Sequence, residues 1–391
     1  MVGRRVALGG LAVAGMAAAM PSVMPMALAQ PAPRTPRVVF INPGRAGEGF
    51  WDDVSTAMRA AADQLGFLLE IRMAERDRSR LRAMAIAAAQ EQPAPDALLL
   101  VNEEQTAVPA LEAAVQRGLP TMLLINELSG DDLARVGPPR RAGDSFIGSL
   151  SPANRTAGRR MTEALLDAAR KNNLRAADGR IHLLALGGEL GTIAGMERSR
   201  GMYDAVAAAN DVILDRHLLA GWQQGEARLL TRRYLDWAIR AAIRPTAVWA
   251  ANDPMALGAM EAFEEAGRRP GKEAVFAGLN WSAEALRAVG EGRLLLSEGG
   301  HLLGGAWALV MLRDWFDGFD FTLDGDASLQ FDLSPIDAAS LSYCWSVIGE
   351  RRWQGLDFRR FTRGERRRGG DMRQAYDFSL PAILASAKGA G

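Results

Sequence analysis

Ala247-Val248-Trp249-Ala250-Ala251-Asn252-Asp253-Pro254-Met255-Ala256-Leu257-Gly258 joins a short apolar run to an alanine-rich helical pattern. The run Ala247–Asn252 stays apolar until its last residue, as a strand covered on both faces does, and Met255–Ala266 reads as the helix that follows it. The same alternation repeats outward. Upstream strand candidates are Arg37–Asn42, Leu68–Met73, Ala97–Asn102, Thr121–Asn126, Ser145–Leu150, Arg180–Leu186 and Val212–Ala220; downstream are Val275–Asn280 and Leu294–Glu298. Between them lie helical segments such as Asp53–Leu65, Thr106–Arg117, Arg155–Lys171, Gly195–Ala209 and Ala283–Val289. Asp52 or Asp53 can cap the first helix, and Gly66 and Gly118 can stop the first two. Near-continuously apolar strands, each followed by a helix, imply parallel sheets covered on both faces. Ten such units exceed one core, so the expected fold class is α/β, with two doubly wound parallel-sheet lobes.

The chain has 391 residues, 48% of them hydrophobic and 24% charged, with 46 basic against 46 acidic side chains. That balance argues against nucleic acid as a partner. A single cysteine, Cys344, excludes an intramolecular disulfide framework and multi-cysteine metal sites. With only three histidines (His182, His217 and His301), no metal and no cofactor is expected.

Residues 1–29 contain no acid, open with Arg4 and Arg5, continue through the apolar run Val6–Met20 and end Ala27-Leu28-Ala29. This is the pattern of a cleavable signal peptide, with the mature chain starting at Gln30 and working in the periplasm. The apolar run is broken by Gly9, Gly10 and Gly15 and is short for a bilayer span. The Arg4-Arg5 pair leaves the twin-arginine and general export routes both open. Without those two arginines the remainder carries 44 basic and 46 acidic residues, a formal charge of −2.

In open parallel sheets ligands sit beyond the carboxyl ends of the strands. There the sequence places Asn42, Asn102, Asn126, Asn252 and Asn280, with Phe50, Trp51, Trp222 and Trp281 nearby. An asparagine amide offers planar donors and an acceptor that match vicinal hydroxyls, and an aromatic face covers the C–H face of a sugar ring. The alternative is that asparagine ends strands because it tolerates turn geometry.

Four segments resemble the type I periplasmic binding proteins for sugars, of the ribose- and galactose-binding kind. They are Gly49-Phe50-Trp51-Asp52, Ala97–Asn102, Glu197-Arg198-Ser199-Arg200-Gly201-Met202 and Val248–Gly258, the last being the most specific. The resemblance runs from about residue 37 to residue 320. It implies two lobes joined by a three-strand hinge and closing over a small polyhydroxylated ligand. The bound protein would then meet a membrane ABC permease or, in some members, a sensor kinase. It implies lobe 1 from residues 37–149 and 301–330, lobe 2 from 150–300 and 331–350, and a basic extension at 351–391. It places Phe50, Trp51 and Trp222 as stacking residues, and Asn102, Arg200, Asn252 and Asn280 as polar contacts. Asn126 and Glu127 stand where the family carries an Asp-Arg pair, and Asn280 where it commonly carries Asp. With those carboxylates absent, Glu48, Glu127 or Glu298 must balance Arg200, or the ligand itself must be negative. His301 reads either as a cleft donor or as a hinge residue with a satisfied hydrogen bond. The stretch His301–Asp320 reads as an amphipathic packing helix and also resembles the quorum-signal receptor branch of the same superfamily.

Residues 351–373 hold nine arginines against three acids, a solvated surface or a docking face for an acidic partner or lipid headgroups, while Tyr376–Ala385 is apolar enough to pack on a lobe. An enzyme is the rival reading from another class. Against it, there is no G-x-S-x-G elbow, P-loop lysine or H-E-x-x-H, and Gly187-Gly188-Glu189-Leu190-Gly191 lacks dinucleotide spacing. A monomeric solute-binding protein is the expectation.

Overall fold

The computed structural model describes residues 3, 34–47, 49–141, 145–189, 191–321, 327–370 and 375–387. The leader, apart from Gly3, and the candidate contact Glu48 lie outside the described residues. The elements follow as β1 (Arg37–Asn42), α1 (Gly49–Leu65), β2 (Leu68–Met73), α2 (Arg78–Gln90), β3 (Ala97–Leu100), α3 (Val108–Gln116), β4 (Thr121–Leu124), α4 (Gly130–Val136) and β5 (Phe146–Pro152). Next come α5 (Asn154–Lys171), β6 (Ile181–Gly187), α6 (Ile193–Ala208), β7 (Val212–Leu219), α7 (Gln224–Arg240), β8 (Ala247–Ala250), α8 (Asp253–Glu265), β9 (Val275–Leu279), α9 (Ala283–Gly290) and β10 (Leu296–Gly299). The chain closes with α10 (Gly304–Phe316), β11 (Ser328–Phe331), β12 (Ser334–Asp337), α11 (Leu341–Cys344), α12 (Arg363–Arg368) and α13 (Leu380–Ala385).

Two six-stranded sheets result, ordered β11-β5-β4-β3-β1-β2 and β12-β10-β9-β8-β6-β7. Every pairing is parallel except β10 with β12. Strands β1, β3, β4, β6 and β8 are fully buried beyond their first residue, because helices cover both faces, and their side chains are mostly apolar, with Asn42 and His182 the polar ones beyond those first positions. All ten expected strands are present. β3, β4 and β8 end two residues before their asparagines, which therefore lie in the loops at the carboxyl edge. β11 and β12 were not foreseen. The capping role expected of Asp52 or Asp53 is corrected: α1 begins at Gly49, so both acids lie within the helix.

The chain passes between the sheets after β5, after β10 and between β11 and β12. Arg160 on α5 ties these passages together. Its guanidinium donates to both oxygens of the fully buried Glu298 on β10, at 2.6 and 2.8 Å, and to the Leu333 carbonyl between β11 and β12.

One expectation about the C-terminal third is corrected. α10 is not amphipathic: Gly304–Leu312 and Asp314 are all buried, because the C-terminal segment covers the face that water would otherwise reach. Most arginines of residues 351–368 are solvated, among them Arg352, Arg359 and Arg368, while the apolar residues between them pack inward. Trp307 on α10 stacks on Phe378 at 4.6 Å and packs on Phe358 and Phe361. Asp314 accepts from the Arg363 amide at 2.9 Å and the Tyr376 hydroxyl at 2.8 Å. Gln64 of α1 donates to the Leu356 carbonyl and accepts from the Phe358 amide.

Candidate ligand-binding site

A cavity of about 570 Å³ opens at the carboxyl edges of both sheets. The first lobe contributes Phe50 from the start of α1, Arg76 after β2, Glu103 after β3, Asn126 after β4 and His301 after β10. The second contributes Arg198 on α6, Trp222 after β7, Asn252 and Pro254 at α8, and Asn280 after β9. This is the position that doubly wound sheets give to ligands.

Two aromatic faces enter from opposite lobes. Phe50 is half-buried and stacks on His301, with ring centroids 4.7 Å apart. Trp222 is half-buried in a left-handed backbone conformation, φ 68°. Its indole lies so close to the β6–α6 turn that a Cβ on Gly188 would fall 2.2 Å from the ring. Only glycine permits that approach, which gives Gly188 its reason. Trp51 is almost fully buried and closes the cavity floor, its ring against Gly44.

The cleft arginine is Arg198, and Arg200 is corrected. Residues two apart on a helix point roughly 200° apart. Arg200 therefore faces solvent, its side chain 60% exposed and paired with Glu197, outside the cavity wall. Arg198 is 3% exposed. Its Nε donates to Asn154 Oδ1 at 2.9 Å, one terminal nitrogen donates to the Ala251 carbonyl at 2.8 Å, and its guanidinium lies 5.6 Å from the Trp222 ring centre. Among the described residues no carboxylate forms an ion pair with it. Burial lowers its pKa to about 9, and the charge of Asp253 opposes that shift. Asp253 is itself buried and raised to about 6, though it accepts from the Ser282 amide and from Ser297 Oγ. The carboxylates proposed to balance the arginine are engaged elsewhere: Glu298 by Arg160, and Glu127 by Gln330.

The five strand-end asparagines divide. Asn42 bonds to Ser55 Oγ and the Trp51 carbonyl, and Asn102 to the Glu127 carbonyl and the Ala107 amide. Asn252 donates to the Trp222 carbonyl and caps α8 by accepting from the Met255 amide. These three fasten loops, and Asn102 does not reach the cavity. Asn126 and Asn280 face it with unused capacity. Asn126 donates to Glu103 at 2.9 Å, while its Oδ1 is buried without a partner. Asn280 takes φ 154°, and its side chain makes no hydrogen bond among the described residues.

His301 departs from the satisfied hinge residue that was the alternative. It is 2% exposed, lines the cavity, and leaves Nδ1 without a partner. Burial and the nearby Arg198 charge hold it neutral, well below its ordinary pKa. Glu103 and Asp53 are both raised by burial and opposed by Arg76 and Arg351 respectively. Arg198 and Arg351 escaped sequence reading as site residues, and His301 takes the cleft position that was one of its two readings. For Arg198 the signal was present, since the helix phase separates it from Arg200.

Residues 38–296 match the periplasmic binding protein domain, well over half of the chain. The chain belongs to the periplasmic binding protein family, and its two parallel-sheet lobes are of the type I fold. Among solved structures it resembles a periplasmic sugar-binding protein from Pseudomonas fluorescens, at 32% identity and TM-score 0.77, over 89% of this chain and 99% of that one. A solute-binding protein from Actinobacillus succinogenes 130z with bound D-allose shares the fold at 19% identity and TM-score 0.67, over 78% and 99% of the two chains. So does a Caulobacter myo-inositol binding protein, at 19% identity and TM-score 0.65, over 83% and 99%. No curated protein sequence matches the chain.

Proposed function

We propose that this chain is a monomeric periplasmic solute receptor that captures one sugar or sugar-like molecule between its lobes and hands it to an ABC importer. The carrying observation is a set of unsatisfied polar groups beside aromatic faces. Asn126 Oδ1 and His301 Nδ1 are buried without partners, and Arg198 carries donors that no carboxylate claims. Buried polar groups are ordinarily paired, and because these line the cavity, the hydroxyls of a bound ligand fit them as partners. Phe50 and Trp222 supply the apolar faces that a pyranose, furanose or cyclitol ring presents C–H bonds to. The solved relatives bound to D-allose and myo-inositol support the same ligand class. Closure follows from the division of contacts, since only the closed form lets both lobes touch the ligand.

The site captures rather than transforms. The hydroxyl side chains of its wall, Thr192 and Ser282, accept the Gly195 and Ala285 amides as helix caps, and the Asp253 carboxylate that Ser282 meets is engaged by the Ser282 amide and Ser297 Oγ. The leader removed at Ala29 would deliver the protein to the periplasm.

The test is thermal unfolding of the chain from Gln30 onward against pentoses, hexoses, inositols, sugar acids and furanoses. A ligand at a hundred times its Kd adds about 2.7 kcal/mol, a shift of a few degrees. A sharp hit that disappears in Trp222→Ala is expected. A folded protein that responds to none of them would refute the ligand class.

A further inference from the structure

The C-terminal segment passes between the lobes a fourth time. α11 packs on α9 and β12, and the helical turn Trp345–Gly349 also packs on α9, all in the second lobe. The turns Trp353–Gly355 and Phe358–Phe361 pack on α1 in the first lobe. Trp353 is fully buried there. Only the residues from Gly349 to Trp353 bridge the two anchorages, a span of at most about 14 Å when fully extended.

Arg351 stands in that bridge and lines the cavity together with Asp53 of α1 and Glu284 of α9. Its guanidinium grips Asp53 with both prongs, Nε to Oδ1 at 3.0 Å and a terminal nitrogen to Oδ2 at 2.8 Å. Another terminal nitrogen donates to the Ile348 carbonyl at 2.6 Å. Its backbone is left-handed, φ 55°, which a non-glycine residue keeps only where its surroundings enforce it. On another side the cavity shares Arg76, Glu103, Trp222 and Pro254 with a second chamber of about 580 Å³, lined by charged groups including Arg45, Arg78, Glu104 and Glu189.

We propose that Arg351 is a wall residue of the ligand site and that its ion pair with Asp53 latches the fourth crossing, restricting lobe opening on that flank. Three hinge passages alone would leave the lobes free to rotate apart; the short latched bridge holds them near the separation seen here.

The test needs no ligand, so its failure and the failure of the sugar reading are distinguishable. Spin labels on Arg80→Cys and Glu226→Cys, both exposed and on opposite lobes, report the interlobe distance by pulsed electron resonance, while Cys344 is buried away from the label. The full-length protein should give a narrow distribution. Asp53→Asn and Arg351→Gln should each broaden it toward longer distances, and the exchange Asp53→Arg with Arg351→Asp should narrow it again. Circular dichroism melts of each variant separate loosening from unfolding. Identical distributions in wild type and both single variants, or a loosening that the exchange leaves unrepaired, would overturn the proposal.

Discussion

Replacing Arg198 by methionine keeps most of the buried stem and removes the guanidinium. Two of its five donors serve Asn154 and Ala251, so up to three are available to a ligand. A hydrogen bond from a charged donor is worth about 1.5–3 kcal/mol. Two such bonds to ligand hydroxyls make the expected loss about 3–6 kcal/mol, which is a rise in Kd of 100-fold or more. Stability should change much less. Leaving the Asn154 and Ala251 acceptors unpaired costs about 1–3 kcal/mol each, but the same substitution removes a cation that burial already disfavours, its pKa held at about 9. Titration calorimetry with the sugar that most stabilises the protein gives the first quantity, and urea unfolding gives the second. Arg200→Met, two residues away and exposed, is the control and should bind like wild type. The reasoning is refuted if Arg198→Met retains wild-type affinity, or if Arg200→Met loses as much.

Three other outcomes follow from the same geometry. Gly188→Ala would push the Trp222 indole off the β6–α6 turn, so affinity should fall at least tenfold with far-UV circular dichroism unchanged; unaltered affinity would mean the indole's position is irrelevant. Arg160→Met would strand the fully buried Glu298 carboxylate and should cost about 3–5 kcal/mol in chemical unfolding, against a fraction of that for the exposed Arg159→Met. His301 is held neutral in the fold, so its contribution to stability is present above its unfolded pKa near 6.5 and is lost as pH falls below it. His301→Gln should therefore flatten the stability loss between pH 6.5 and 5, and an unchanged slope would contradict the burial argument.

How much of this was legible in the sequence depended on how local the determinant is. Buried parallel strands advertise themselves as apolar runs, and all ten were found. Ser328–Phe331 and Ser334–Asp337 are four-residue edge strands with serine, proline and aspartate in them, and their pairing is fixed by distant partners rather than by their own pattern. Asparagine after a strand was a sound marker of the cleft edge, but which amide is left for a ligand is decided by local closure. Asn252, two residues before Pro254, had the spacing of a helix cap, and the structure shows its side chain spent that way. Arg198 and Arg200 differ only in helix phase, which sequence likeness alone does not set. The arginine run at 351–373 drew the eye to charge, whereas Trp353, Leu356, Phe358 and Phe361 between the arginines decide where the segment goes. Glu48 lies outside the described residues and keeps its role as an expectation.

The central claim is that a sugar-like ligand sits between the lobes, and a crystal structure grown with the best stabilising ligand tests it most directly. The account predicts a ring lying against Phe50 and Trp222, within hydrogen-bonding distance of Arg198, Asn126 Oδ1 and His301 Nδ1, with Arg200 uninvolved. A ligand bound elsewhere, or one in the cavity that leaves Asn126 Oδ1, His301 Nδ1 and Arg198 all uncontacted, would contradict it.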